Sequence, residues 1–228
     1  MDVEYVIFGL LEVVGVFANL VKIGTSKAWE ATLKILLNIQ SNQFTKANNV
    51  LILGHLDFSE ELIHVSPETL IALNLSNAKI IVPKAVVDQL PENLKPNAIV
   101  MNNGELKDFE AFKIETIPMY NLREEALKFH DKGRGNGYVF TFGDQRIYFS
   151  GDTEDIPEMR DLKNIDKDFV CMNLPYTMPV ENAANAVLKF KPKQVYPYHY
   201  RGTGGLSDVE KFKSIVNAGN PRRPHVWC

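Results

Sequence analysis

The tripeptide Gly151-Asp152-Thr153 constrains this chain more than any other feature. It follows two apolar segments, residues 139–142 and 146–149, that flank Gly143-Asp144 and read as a β-hairpin. His130 lies upstream of the hairpin, and His199 closes another strand-like run at residues 194–198. A carboxylate at a strand end, flanked at long range by two imidazoles, is an oxygen–nitrogen set that borderline divalent ions such as zinc prefer. Each of the three lies close to an apolar strand-like run, where a fold can gather side chains into one pocket.

At 228 residues the chain can bury a full core, and no repeat or low-complexity linker divides it. A single domain over residues 1–228 is expected. The formal net charge of -3, with Lys and Arg scattered apart from Arg222-Arg223, leaves no basic stripe for nucleic acid or an acidic membrane surface. Cys171 lies in an apolar run and Cys228 is the last residue, so neither a disulfide framework nor a thiolate metal site is expected. Residues 6–21 are strongly apolar, but Glu12 interrupts them, no basic segment precedes them, and they fall short of the ~20 residues that span a bilayer. They read as buried strands or a core helix, and a cytoplasmic location is the expectation.

Strands are expected at residues 50–53, 79–82, 98–101, 112–119, 168–172 and 194–198, besides the hairpin. Helices are expected from Ser66-Pro67-Glu68, where Ser caps and Pro opens the first turn, and at 84–90, 156–162, 179–190 and 207–216, the last capped by Ser207. Asn102-Asn103-Gly104 reads as a turn, and Gly133-Arg134-Gly135-Asn136-Gly137 as a glycine-rich turn. Strands dominate the middle and strand–helix alternation marks the end, a pattern that fits two mixed sheets held between helices and equally a mixed three-layer fold.

Among the histidines, His225 belongs to a Pro-flanked tail, whereas His55 and His199 end strands, His64 precedes a helix cap, and His130 opens the glycine-rich turn. Glu154 and Asp155 suit capping or the surface. Arg134, Arg201 and Lys132 are cations near these histidines and could hold an anionic or phosphorylated substrate. Asn173 and Tyr176, in the loop after the 168–172 strand, could orient a substrate or form a rigid turn in Leu174-Pro175-Tyr176. Thr153 and Tyr200 are candidates to hold the second ring nitrogen of a ligating histidine.

The stretches 129–138, 147–159, 172–178 and 196–200 resemble the metallo-β-lactamase superfamily, in particular the branch of L-ascorbate-6-phosphate lactonases and related metal-dependent hydrolases. The resemblance implies an αββα sandwich of two mixed β-sheets (an α/β fold), with the N-terminal part remodelled, and a metal pair at one edge of the sheets. By position it implies His130 as the isolated histidine ligand, Asp152 as the bridging carboxylate and His199 as the last ligand. The family's His-x-His-x-Asp-His run is degenerate here, where Gly54-His55-Leu56-Asp57 is followed only later by Ile63-His64. Taking His55 as the first histidine puts Asp57 in the second place and reaches His64 through an insertion. Fixing the register from Ser66-Pro67 puts Ile63 where the aspartate belongs.

The implied site is either the full set His55, Asp57, His64, His130, Asp152 and His199, with Asp152 and Asp57 as its acidic, catalytic members, or a one-metal site of His64, Asp152 and His199, with or without His130. One or two zinc ions, or manganese, are the expected cofactor. The expected activity is hydrolysis of a small anionic ester, lactone or phosphodiester by metal-held hydroxide. The competing expectation is a metal-poor relative that binds or interacts without turnover. A nuclease is disfavoured by the mild acidity, and an oligomer is compatible with the sequence.

Overall fold

The computed structural model describes residues 79–109 and 112–219, together with the backbone of two strands nearer the N-terminus, β1 (Val6–Gly9) and β2 (Val50–Leu53). The helix expected from Ser66, and His55, Asp57, His64 and His225, lie outside the described residues.

The described strands form two main sheets. The smaller has the order β1-β2-β3-β4, with β3 at Lys79–Val82 and β4 at Ala98–Val100, and every neighbouring pair in it is parallel. The larger comprises β5 (Leu106–Phe109), β6 (Phe112–Met119), β7 (Gly135–Phe142), β8 (Gln145–Phe149), β9 (Lys167–Cys171) and β10 (Gln194–Tyr198). It is mixed, in the order β10-β9-β8-β7-β6-β5: β8, β9 and β10 run parallel and β5 to β8 antiparallel. A two-residue pair, β11 (Arg201–Gly202) and β12 (Gly205–Leu206), follows β10.

Alternation along the strands sorts the larger sheet into two faces. Phe149, Phe169 and Tyr196 are register neighbours on β8, β9 and β10, and their rings stack at 4.4 and 5.0 Å. With Tyr138, Phe140 and Phe142 of β7 they belong to the core that also takes in Ile81 of β3 and Met101. Such aromatic pairs add about 0.5–1.5 kcal/mol each beyond the area they bury. On the opposite face Tyr148 meets Phe190 edge-on at 6.1 Å. Phe190 ends α3 (Val180–Phe190), which follows the short helices α1 (Lys84–Val87) and α2 (Pro157–Arg160). Val180, Ala183, Ala184, Val187 and Phe190 are the buried stripe of α3, at the spacing of one helical face. The last helix, α4 (Val209–Gly219), buries Phe212 and Val216 and pairs Lys211 with Glu181 of α3.

Several elements differ from the sequence expectation for local reasons. Asp208, not Ser207, caps α4 by accepting from Lys211 N at 2.8 Å, while the Ser207 hydroxyl donates to the Met172 carbonyl. The glycine-rich turn contributes Gly135, Asn136 and Gly137 to β7, paired with Met119, Pro118 and Ile117. A β-carbon on Gly137 would lie 2.6 Å from the Ser150 carbonyl oxygen, so glycine is what allows the backbones to approach there. Strand β5 is largely exposed and charged and carries no apolar alternation, so pairing to β6 holds it, with Phe109 stacked on Phe112 as its one partly buried residue.

On the helix-covered face, Asp168 is fully buried, and neither carboxyl oxygen has a hydrogen-bond partner among the described residues. Burial alone pushes its pKa well above the ordinary aspartate value. The folded chain therefore keeps a proton that the unfolded chain has lost, and stability falls as pH rises above the unfolded aspartate pKa of about 3.9. Replacing Asp168 with Asn removes that titration. Thermal melts across pH 5–9 are expected to show a flatter profile for the variant and a melting temperature raised by a few degrees at pH 8. An unchanged slope would show that Asp168 does not carry it.

Candidate metal centre

The sheet topology decides where chemistry can occur. Because β8, β9 and β10 are parallel, their carboxyl ends lie at one edge, and antiparallel β7 begins there. The smaller sheet meets the same edge: past β4, Met101 O accepts from Asn136 Nδ2 at 2.6 Å, and Asn103 Nδ2 donates to Gly135 O at 2.8 Å. Since that sheet is parallel, β2 also ends at this edge, at Leu53. Loops at the carboxyl ends of strands are the usual place for ligand sites in α/β folds.

His130 precedes β7, Asp152 follows β8 and His199 follows β10, so all three reach this edge. Asp152 Oδ2 lies 3.6 Å from His130 Nε2 and 3.4 Å from His199 Nε2. The residues are 4 %, 4 % and 8 % exposed for Asp152, His130 and His199, so the donor atoms are withdrawn from bulk water. For an ion with bonds of about 2.0–2.2 Å in tetrahedral geometry, ligand atoms stand roughly 3.3–3.6 Å apart. Both contacts match that edge, and the imidazole–carboxylate set suits zinc. Among the described residues, no group of three such side chains is closed enough to hold one ion. Asp152 Oδ2 is the atom common to both contacts.

Each of the three side chains is held in place by the backbone around it. Gly151 has φ +64°, and a β-carbon on it would lie 2.6 Å from Met119 Sδ, so the turn presenting Asp152 needs glycine. Ser150 Oγ donates to Gly151 O at 2.8 Å and accepts from Cys171 N at 3.2 Å. The Thr153 hydroxyl accepts from Tyr120 N at 3.2 Å and lies 3.0 Å from Tyr120 O. It therefore ties the Asp152 loop to the end of β6 and is not a partner for a histidine ring. His199 sits at φ +46°, an uncommon conformation for a residue other than glycine and a local strain at the site. His130 Nδ1 is 3.2 Å from the Tyr176 carbonyl, a backbone oxygen beside the ring.

A second layer was not legible in the sequence. Glu154, expected at a cap or on the surface, is buried. It accepts from Leu122 N and Arg123 N at 3.0 Å and from Arg123 Nε at 2.5 Å. Arg123 Nη2 reaches the carbonyls of Pro175 at 3.2 Å and Thr177 at 2.5 Å, and Asn121 Nδ2 reaches that of Tyr176 at 2.7 Å. Three successive carbonyls of the loop after β9 are thereby fixed by two side chains. The only sequence signal was their place, directly after the 112–119 strand.

The remaining candidates fall as follows. Asn173 is fully buried, its Oδ1 accepting the Thr177 hydroxyl at 2.6 Å, so it serves the turn. Tyr176 contributes its carbonyl to His130, while its hydroxyl bonds Thr203 Oγ1 at 2.9 Å. Lys132 is engaged by Glu158 at 2.8 Å and lies over the Tyr120 ring, so it is not an uncommitted substrate cation. Arg134 and Arg201 are exposed. Tyr200 is partly buried against the core. Burial, reinforced by the nearby Asp152 charge, pushes the Cys171 thiol up to about 12, so it stays protonated, donates to Thr153 O at 3.3 Å, and is no thiolate ligand.

The family model for the beta-lactamase superfamily domain matches residues 68–199, more than half of the chain. The chain belongs to the beta-lactamase superfamily. Its metallo-β-lactamase fold is shared with the crystal structure of a candidate metal-dependent hydrolase from Parabacteroides distasonis, with 35% identity, a TM-score of 0.65, and coverage of 75% of this chain and 72% of that one. A metallo hydrolase from Ignicoccus hospitalis is similar in fold, at TM-score 0.59 and 20% identity over 76% of this chain and 73% of its own. Among curated superfamily relatives, a UPF0173 metal-dependent hydrolase of Pyrococcus horikoshii is 29% identical over 62% of this chain and 64% of its own length. One of Listeria monocytogenes is 28% identical over 75% of each. The first curated relatives are thus matched over less than two thirds of their length. These names are those of UPF0173 hydrolases and not of L-ascorbate-6-phosphate lactonases, the narrower branch the sequence resembled. Among the described residues, no helix is long and apolar enough to cross a membrane.

The Glu154–Arg123 link makes a structural prediction for this superfamily site. Glu154→Ala leaves a partly buried guanidinium and two backbone amides without their acceptor, which costs on the order of 3 kcal/mol. Urea unfolding is the check, and a loss under about 1 kcal/mol would demote the link to a surface pair.

Proposed function

We propose that the chain is a metal-dependent hydrolase acting on a small anionic ester, lactone or phosphodiester. The observation that carries this reading is one buried carboxylate oxygen, Asp152 Oδ2, shared by the ring nitrogens of His130 and His199 at 3.6 and 3.4 Å. Zinc suits the donors best, manganese being the alternative, and Asp152 Oδ2, common to both contacts, is proposed to stand between two ions. His55, Asp57 and His64 are proposed as the remaining donors, because β2 ends at the same edge as the three described ligands. When bound, such ions supply a water whose pKa is lowered towards ~7 and positive charge at the reacting oxygen.

The chain's own residues do the rest. Asp152 is withdrawn from water and its loop is pinned by Thr153, so the charge that holds the ions is fixed in place. Arg201, close after His199 in the chain, is exposed and suited to bidentate contact with a carboxylate or phosphate. The Tyr176 hydroxyl and Thr203, joined at 2.9 Å, tie the loop after β9 to the β11–β12 pair that carries Arg201.

Protein purified without chelators is expected to hold about two equivalents of metal and to hydrolyse some member of a panel of nitrophenyl esters, lactones and phosphodiesters. Asp152→Ala is expected to keep the fold and lose metal and activity together. Strongly substoichiometric metal in the unaltered chain, with no turnover on the panel, would support a binding protein instead. Arg201→Ala is expected to raise KM for an anionic substrate roughly tenfold with kcat little changed. An equal KM for both proteins would remove Arg201 from recognition.

A further inference from the structure

The turn Asn102-Asn103-Gly104 takes no part in the chemistry above. It follows β4 of the smaller sheet and is anchored to β6 of the larger by Thr116, which is buried. The Thr116 hydroxyl donates to Asn102 O at 2.5 Å and accepts from Glu105 N at 2.9 Å, while Thr116 O accepts from Gly104 N at 2.9 Å. The turn so held brings the Asn103 amide to the start of β7. Asn103 Nδ2 donates to Gly135 O at 2.8 Å and to Asn136 Oδ1 at 2.6 Å, which uses both of its hydrogens. Asn136 is fully buried and donates its own two to Met101 O at 2.6 Å and the Tyr138 hydroxyl at 3.3 Å. Turning the Asn136 amide over would set nitrogen against nitrogen at Asn103 and oxygen against oxygen at Met101, so one orientation is fixed.

Behind this pair lies the turn that presents Asp152. A β-carbon on Gly151 would lie 3.0 Å from Asn136 O, and one on Gly137 would lie 2.6 Å from Ser150 O. The start of β7 therefore rests directly against residues 150 and 151. Asn136 reaches the smaller sheet with its side chain and the Gly151 turn with its backbone.

We infer that the Asn103–Asn136 amide pair is a positioning clamp: it locks the end of the smaller sheet onto the start of β7 and, through the Asn136 backbone, seats the Gly151 turn that presents Asp152. Neither asparagine is a ligand, and both act only through that turn. The effect on a bound ion rests on the metal site proposed above, whereas the hold on the Gly151 turn belongs to the chain alone. Because Thr116 carries the 102–104 turn by backbone bonds, Asn103→Ala removes two side-chain hydrogen bonds and leaves that framework in place.

The first test is hydrogen exchange on the full-length chain stripped of metal, read by mass spectrometry. Asn103→Ala is expected to speed exchange several-fold in peptides covering residues 135–137 and 150–154, with α3 unchanged. The second is zinc affinity by chelator competition, expected to weaken roughly tenfold in Asn103→Ala. Val187→Ala, a truncation in the α3 core, serves as the control and is expected to lower the melting temperature while leaving zinc affinity unchanged. Exchange that does not change, or that rises equally in α3, overturns the clamp. So does zinc affinity of the unaltered chain and Asn103→Ala agreeing within about twofold, or falling equally in Val187→Ala. In the unaltered chain the side-chain amides of Asn103 and Asn136 are expected to resist solvent exchange and to show a mutual nuclear Overhauser effect. Freely exchanging amides overturn the clamp even where the variant fails to fold. A chain that binds no zinc but shows the local change in exchange refutes the metal site and upholds the clamp.

Discussion

A carboxylate withdrawn from water at the end of β8, with an imidazole nitrogen on either side, is the constraint around which this edge of the molecule is organised. Burying such a charge without compensation costs several kcal/mol. Its surroundings are accordingly over-determined. Glycine is required at Gly151, Thr153 is tied to the backbone of Tyr120, and His199 is held at a positive φ. Strain and burial concentrated on three side chains are expected where a fold spends stability on a site.

That concentration depends on strand direction. Three parallel strands followed in space by one antiparallel strand bring three carboxyl ends and one amino end to the same edge. Residues far apart in the chain become neighbours with no long loop. The parallel smaller sheet adds the end of β2 to that edge through the contacts of Met101 and Asn103 with the start of β7. The degenerate motif that opens at His55 therefore follows a strand that points at the site.

Much of this was legible in the sequence, and the reasons differ by element. Strands 79–82, 112–119 and 194–198 match their expected limits because apolar runs bounded by turn residues report burial directly. The trio of His130, Asp152 and His199 was legible because each abuts such a run. Strand β5 was not, since an exposed edge strand such as Leu106–Phe109 is specified by its partner's backbone and not by its own side chains. Gly137 reads as part of a turn because close backbone approach and chain reversal demand the same residue. The supporting network was hidden for a similar reason. Asn121, Arg123 and Glu154 act on backbone carbonyls and amides, which carry no residue-type signal. Tyr176 shows this most clearly: it was singled out for its side chain, and it is its carbonyl that reaches His130.

The central claim, that Asp152 is shared between ions held by His130 on one side and His199 on the other, is tested most directly by X-ray diffraction at the zinc absorption edge on crystals of the zinc-loaded chain. The account predicts two anomalous peaks flanking the Asp152 carboxylate, one against each histidine ring. Saturating zinc that gives no peak beside Asp152, or peaks only elsewhere on the molecule, would contradict it.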